Sequence, residues 1–547
     1  MRKNKYTVLV ATFILLSFLL YNRDAFTQPT QSWASFYNGP GNLQDSTIGI
    51  CVNPSGQVFI TGWSLSSPTN HDIVTIRYNQ DSGDSLWVNR YDGNLEDRVT
   101  AITCDNNAVY ITGWSFTPSR DIIVIKYDAS NGNRLWVRTY NGTGNGGDYG
   151  FAIAVDGNGD VYACGRSDSG GTNGQKYTTL KYDASGNLQW ASVYGGGLST
   201  NFDEAHALKV DGSGNVYVTG KSGSTAPDFL TLKLNSSGAV QWAKKHNGTQ
   251  NGEDNALRLV LDNSAANAYV GGYSFRTGGV QNYVVIRYST ATGDSNAFAT
   301  FDGASNIDIL TDMKIDNSNN VYVTGYSTIG SSAFDYATLK YNSVLSQQWV
   351  ARTTNTGNDF ATSLSVDNAN GNVYVTGYSI GPSNTFDYLT VSYNSGGTEN
   401  WQVRVNGNGN AGDFASGVHT SDTDHIYVTG NITTGTVGVG FYTIRYAKVV
   451  GIIPISNEVP STFALKQNFP NPFNPVTSIR FDIPKSSLVR ISVFDIMGRE
   501  VEVLANENVS AGKYEVKWDA SKYASGVYFY RLIAGDFNQT KKMILTK

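Results

Sequence analysis

Between Gln31 and Ala447 the chain alternates short apolar runs with clusters of Gly, Asn, Asp and Ser, and it never sustains a helical period. One stretch reads YGFAIAVD, DVYACGR, YTTLKYD and LQWASVY in succession, separated by DGNG, a longer polar loop and ASGN. β-Branched and aromatic residues in runs of this length, bounded by turn formers every eight to twelve residues, predict antiparallel strand meanders.

The same four runs recur. The word NVYVTG stands at residues 215–220, 320–325 and 372–377, and near-copies place its final glycine at Gly62, Gly113, Gly165, Gly220, Gly272, Gly325, Gly377 and Gly430. Eight copies at intervals of 51 to 55 residues mark a repeat architecture, and four strands per repeat is the unit of a propeller blade. The region opens on a lone fourth strand, QSWASFYNG, and ends on a lone set of first three strands. We therefore expect an all-β fold: an eight-bladed β-propeller over residues 31–447, closed by its N-terminal strand. The aromatic of the repeated word (Phe59, Tyr110, Tyr162, Tyr217, Tyr269, Tyr322, Tyr374, Tyr427) and the fourth-strand tryptophans are expected between blades, and the glycine at a strand end where a side chain would collide.

After Tyr446 the prolines crowd together, predicting a linker at 448–461. Alternating runs then predict a small Ig-like β-sandwich at 462–547. At the other end, MRKNK followed by the apolar run Tyr6–Leu20 reads as a signal peptide over residues 1–28, and no later run is long and apolar enough to span a bilayer.

Composition removes some classes. With 58 glycines, 33 tyrosines and 16% charged residues, the chain suits many short strands and tight turns. A net charge of −5 without a basic stripe excludes nucleic acid as a partner. Cys51, Cys104 and Cys164 are odd in number and lie in predicted strands, so no disulfide framework is expected.

The D-x-A, GNVYVTG, TLKYD and Gly-x-x-x-Trp elements of residues 31–447 resemble a bacterial β-propeller repeat family named for seven-bladed members; that resemblance implies a scaffold and no shared reaction. FALKQNFPNPFNPVTSIRFDIP, VFDIMGREV, AGKYEVKWDA, SGVYFYRLIAG and KKMILTK, in that order, resemble the C-terminal sorting domain of type IX secretion in Bacteroidetes and relatives. That likeness implies passage through the periplasm, engagement of the type IX machinery by residues 462–547, and a secreted or cell-surface destination.

Candidate chemistry sits at one edge of the repeat. Asp45, Asp97, Asp148, Asp203, Asp254, Asp308, Asp359 and Asp413 occupy one position in all eight copies, where the innermost strand begins. One reading is architectural, each carboxylate accepting backbone amides; the other is a ring holding Ca²⁺ or another hard cation. The third-strand basic residues (Arg77, Lys126, Lys181, Lys233, Arg287, Lys340, Arg445) are the expected charge partners. Trp63, Trp114, Tyr273, Tyr326 and Tyr378 follow the repeat glycine and suit stacking on sugar rings, and the loop GGGLSTNFDEAH gathers Asp203, Glu204 and His206. The five histidines lack metal spacing, and no GxSxG or phosphate loop occurs. The resulting expectation is a non-catalytic propeller that binds an extracellular polysaccharide or protein. Its rival is a quinoprotein-like dehydrogenase, whose tryptophan docking repeats DSGDSLW and DASNGNRLW resemble.

Overall fold

The computed structural model describes residues 29–547 except 68–69, 94, 171–173, 196–201, 224, 277–279, 304–306, 329–332, 356, 410, 421–424, 436–437, 448–452, 457 and 521–522. The expected signal peptide, the centre of the GGGLSTNFDEAH loop and part of the expected linker lie outside the described residues. The chain divides into two compact units, one over Gln28–Val450 and one containing Gly451–Lys547.

The larger unit is a β-propeller of eight four-stranded antiparallel sheets. Blade 1 contains Asp45–Val52, Val58–Ser67, Asn70–Tyr78 and Ser85–Tyr91, here called strands a to d. Blades 2 to 7 repeat that order over residues 97–140, 149–194, 202–246, 255–301, 308–353 and 359–405. Blade 8 takes strands a to c from Phe414–Thr420, His425–Thr434 and Gly438–Ala447, and its fourth strand is Gln31–Tyr37, paired with Gly438–Ala447. The a strands of successive blades lie against one another, and that of blade 8 lies against that of blade 1.

The repeated word has a structural reason at each letter. Its aromatic is buried in all eight blades. Its threonine hydroxyl pairs with a strand-c threonine, as in Thr219–Thr231 and Thr324–Thr338 at 2.9 Å. Its glycine does not end the strand, contrary to expectation. Each lies within strand b, where a Cβ would come within 1.8 to 2.2 Å of a strand-a carbonyl. The a strand bulges there, as between Val99 and Ala101 opposite Gly113, and only a glycine admits the close approach. In four blades the preceding blade's tyrosine hydroxyl fills the other side: Tyr177, Tyr283, Tyr336 and Tyr388 stand 2.7 to 2.9 Å from the site of that missing Cβ.

Between blades, the strand-d tryptophans other than Trp401 sit in a recurring lock. Trp33 Nε1 donates to the Gln80 carbonyl of the next blade at 2.9 Å, Trp87 to Ala129 at 3.1 Å, and Trp242 to Thr290 at 3.1 Å. The c–d turn of that next blade lays a glycine on the indole: Gly83, Gly132 and Gly293 have φ of 73 to 78° and leave under 3 Å between an added Cβ and the ring. Here both the left-handed backbone and the contact require glycine.

The third-strand cations complete this lock instead of meeting the aspartates, which corrects the pairing expected from sequence. Arg77 donates to the Ala129 and Ser130 carbonyls, Lys126 to Ala184, Lys233 to Thr290, and Arg445 to Gln80. They lie at the end of strand c, and the aspartates at the start of strand a, so the two sets occupy opposite rims. A single disulfide forms, short of the framework that the odd cysteine count argued against. Cys51 and Cys104, in the a strands of blades 1 and 2, are bonded, while Cys164 is free and buried. Their separation of 53 residues is close to one repeat, which places near-equivalent positions of neighbouring blades side by side.

The smaller unit contains two four-stranded sheets. One orders Ile453–Ser456, Gly512–Asp519, Val476–Ile483 and Ala464–Leu465; the other orders Glu500–Val509, Ser487–Phe494, Gly526–Ala534 and Phe537–Leu545. Ile453–Ser456 falls in the expected linker but pairs as an edge strand of this unit. The NFPNP turn is fixed from inside: Asn468, 2% exposed, donates its backbone N–H to the Tyr530 hydroxyl at 2.8 Å and its side-chain amide to Thr477 at 2.9 Å.

Trp33 is 7% exposed, whereas Phe298, which replaces the tryptophan in blade 5, is 49% exposed. Trp33→Ala is expected to cost about 3–5 kcal/mol and to lower the thermal unfolding midpoint, with Phe298→Ala costing under about 1.5 kcal/mol. Calorimetry of the two variants checks the order.

Candidate binding face

The rim opposite the tryptophan locks is built from the start of strand a, the end of strand b and the start of strand c. The eight aspartates anchor it, and all are 0% exposed. All but Asp203 accept a hydrogen bond from the segment that brings the chain in from the preceding blade. Gly39 N–H reaches Asp45 at 2.7 Å, Gly142 reaches Asp148 at 2.6 Å, and Gly303 reaches Asp308 at 2.8 Å. Gly248 reaches Asp254 and Gly407 reaches Asp413, both at 2.5 Å, and Asn355 reaches Asp359 at 3.2 Å. A second donor comes from the b–c side, as with Asp168 N–H on Asp148 and Thr433 N–H on Asp413, both 2.7 Å. Asp203 lies 3.8 Å from Lys176 Nζ. Burial raises the pKa of Asp45, Asp148, Asp308, Asp359 and Asp413 against these hydrogen bonds.

Asp97 is the most perturbed. Burial, with the Asp72 and Asp92 carboxylates adding, pushes it up to about 6 against hydrogen bonds from Ser115 and the Gly93 amide. One oxygen each of Asp72, Asp92 and Asp97 lies within 4.8 Å of the others, and Asp72 is bonded to Arg90 at 2.7 Å.

Outside the aspartates, the residue after the repeat glycine on one blade meets the residue after the aspartate on the next. The chemistry varies around the ring. The Arg98 guanidinium lies over Trp63 at 3.9 Å. Trp114 meets Tyr149 edge-on at 5.8 Å, and Arg166 pairs with Glu204. Tyr326 meets Phe360 and Tyr378 meets Phe414, each at 5.0 Å. Asn431 donates to Ser46 at 3.1 Å and accepts the Thr47 N–H at 2.6 Å, joining blade 8 to blade 1. Tyr273 instead meets Glu253 and Asn255 of its own blade's entry, at 3.3 and 3.4 Å.

Two clusters result. On blades 6 to 8, Tyr326, Phe334, Phe360, Tyr378, Phe386 and Phe414 form a connected set of rings with neighbouring centroids 5.0 to 6.0 Å apart. All are half-buried except Phe414, which is exposed. On blades 1 to 4 the aromatics are interleaved with charge. Arg166 stands 4.4 Å over Tyr149 and 4.8 Å over Phe202; Arg120 stands 4.9 Å over Trp114 and shares Glu96 with Arg98 at 3.3 Å. His206 faces two acceptors, the Glu204 carboxylate 3.3 Å from Nε2 and the Ala256 carbonyl 3.1 Å from Nδ1. Burial works to raise the Glu204 pKa, but the His206 hydrogen bond and the charges of Arg166, His206 and Lys221 hold it down to about 2.

The sequence-predicted aromatics Trp63, Trp114, Tyr273, Tyr326 and Tyr378 are therefore all half-buried on this rim, and Glu204 and His206 join it through Arg166. Sequence reasoning missed Phe334, Phe360, Phe386, Phe414, Arg98, Arg120 and Arg166. The available signal was aromatic or basic identity at repeat positions that vary from blade to blade.

Residues 467–546 match the secretion system C-terminal sorting domain. The larger unit is similar in fold to the quinohemoprotein alcohol dehydrogenase from Comamonas testosteroni, with a TM-score of 0.50 and 12% identity over 80% of this chain and 78% of that one. It is also similar to a europium-containing methanol dehydrogenase (TM-score 0.46, 12% identity, 77% of this chain and 93% of that one). A third likeness is to the β-propeller domain of the trilobed protease from Pyrococcus furiosus (TM-score 0.33, 8% identity, 61% and 92%). No curated protein matches in sequence. Fold and tail together define a β-propeller repeat protein with a type IX secretion tail. That tail marks it for export, to the cell surface or the medium.

Two titrations on this rim have opposite signs. Asp97 binds its proton more tightly folded than the ordinary Asp value of about 3.9, so its contribution to stability falls as pH rises through about 6. Glu204 is held below its ordinary value, so its contribution is present above about 4.3 and is lost as pH falls toward about 2. Chemical denaturation is expected to show stability rising from pH 7 to 5. Asp97→Asn, which keeps an acceptor for the Gly93 amide, is expected to flatten that rise, and Asp97→Ala to destabilise at every pH.

Proposed function

We propose that this protein is a non-catalytic binding propeller, carried through the periplasm and out of the cell by the type IX machinery, which holds an extracellular polysaccharide on the aromatic rim of blades 6 to 8. The observation that carries this reading is the six-ring cluster around Phe360 and Tyr378. Ring faces with polar loops beside them suit the apolar faces of sugars, and a run of rings across three blades suits a polymer. The cation–aromatic junctions of blades 1 to 4 supply hydrogen-bond donors at the polymer's flank. The Cys51–Cys104 bond supports an oxidising destination.

For the aspartate series, the architectural reading has the better support, because a donor from the entering segment already occupies one oxygen of the carboxylate, as in Asp45, Asp148 and Asp413. A hard-cation reading rests on Asp97 with Asp72 and Asp92.

A glycan array with purified protein is the direct test. A Tyr378→Ala/Phe414→Ala double variant is expected to lose about tenfold or more in affinity for the polysaccharide retained by the unaltered protein, since aromatic stacking contributes roughly 0.5–1.5 kcal/mol per ring beyond area burial. A pyrroloquinoline quinone chromophore bound in the presence of Ca²⁺, with alcohol oxidation, would replace this reading by the dehydrogenase.

Removing residues 455–547 is expected to leave the propeller inside the cell, as followed by fractionation and immunoblot. Unimpaired release of the truncated chain contradicts export through this tail.

A further inference from the structure

Asp72, Asp92 and Asp97 come from three different segments at the junction of blades 1 and 2. Asp72 lies in strand c of blade 1, Asp92 follows strand d of that blade, and Asp97 opens strand a of blade 2. One carboxylate oxygen of each lies within 4.8 Å of the other two, and this is the one such group of acidic, histidine or cysteine side chains among the described residues. Oxygens so spaced fit a shared Ca²⁺, which holds its ligands at about 2.3–2.6 Å.

The repeat shows that the fold does not need the third acid. The position of Asp92, just before the glycine that donates to the strand-a aspartate, is held at four other junctions by Asn38, Asn141, Asn247 and Asn406. It is acidic at one other junction, as Asp302, and there the strand-c residue equivalent to Asp72 is Asn282. Blade 5 thus loses one acid where its exit gains another, whereas blade 1 keeps both. Arg90 offsets a single charge, its Nε bonding Asp72 Oδ2 at 2.7 Å. Three carboxylates against one guanidinium oppose one another unless a further cation joins them.

A second observation does not depend on that charge. Asp72 is 1% exposed, and its Oδ1 is buried with no hydrogen-bond partner among the described residues. Buried acceptors are ordinarily satisfied. Arg90 on Oδ2 holds this carboxylate in place, and the Gly93 amide on Asp97 Oδ2 at 2.6 Å holds the second. Asp92 is exposed, which opens the group to an ion from solvent.

We propose that the junction of blades 1 and 2 is a Ca²⁺ site, with Asp72 and Asp97 as its fixed ligands and Asp92 as its ligand on the solvent side. The ion ties the exit of one blade to the entry of the next. The proposal narrows the hard-cation reading to this junction and is independent of the aromatic rim.

The test is calorimetric titration of the full chain, stripped of metal by a chelator, with CaCl₂ and separately with MgCl₂, at neutral pH and constant ionic strength. Asp92→Asn installs the residue that four other junctions carry, so the fold is expected to tolerate it. Its binding of Ca²⁺ at this site is expected to be at least about tenfold weaker, because calcium affinity follows the number of charged ligands. Ca²⁺ is also expected to raise the thermal unfolding midpoint of the unaltered chain more than that of Asp92→Asn, since a ligand bound only to the folded state stabilises it. Absence of Ca²⁺ binding, or binding that Asp92→Asn leaves unchanged, overturns the proposal, and Mg²⁺ binding as tight as that of Ca²⁺ overturns the choice of ion. The Tyr378→Ala/Phe414→Ala variant is expected to keep its Ca²⁺ binding whether or not it loses the polysaccharide, which tells failure of this site from failure of the rim.

Discussion

Six of the blades are held to the next by a tryptophan whose indole N–H and face are both used. The N–H donates to a carbonyl in the neighbour's c–d turn, a lysine or arginine of the same blade donates to the same turn, and a left-handed glycine of that turn lies on the ring. A single twisted sheet of four short strands buries too little to be stable alone. Repeating the lock at blade after blade turns eight such sheets into one core. Blade 8 could not take part without borrowing Gln31–Tyr37, since that strand brings Trp33 to Gln80.

Because the locks lie at the turns that end strands a and c, they constrain one rim and release the other. On the locked rim the same residues recur: turn aspartates accept the strand-b tyrosine hydroxyl in blades 2, 3, 4 and 6, at 2.9 to 3.1 Å. On the free rim only the buried aspartate is invariant, and it fastens the incoming chain. The residues around it are cation over ring, ring against ring, ion pair or amide, according to the junction. Such divergence is what a repeat protein uses to build a surface without disturbing its core.

Much of the fold was legible because repetition amplifies weak signals. A single GNVYVTG is an ordinary strand; eight in register imply strand count, blade count and the burial of the tyrosine. The site was legible only in part. Trp63, Trp114 and the tyrosines follow a glycine that anchors the alignment, so they stand out, whereas Phe360 and Phe414 follow an aspartate at positions filled elsewhere by serine, arginine, tyrosine, glutamate, asparagine or isoleucine. Their meaning depends on the neighbour's residue, Tyr326 or Tyr378, which lies in the preceding blade.

The order of strands, the sheet period, the two-part division of the chain and its sorting tail were determined by the sequence itself, since each follows from local alternation, turn chemistry or a motif read in order. Two things were decided only by the packed structure: the Cys51–Cys104 bond and the transfer of the third-strand cations from the aspartates to the turns. Both relate residues of different blades. Hydrophobic periodicity carries no information about which end of one sheet faces which end of the next, because that is settled by twist and by the indole each neighbour must accommodate.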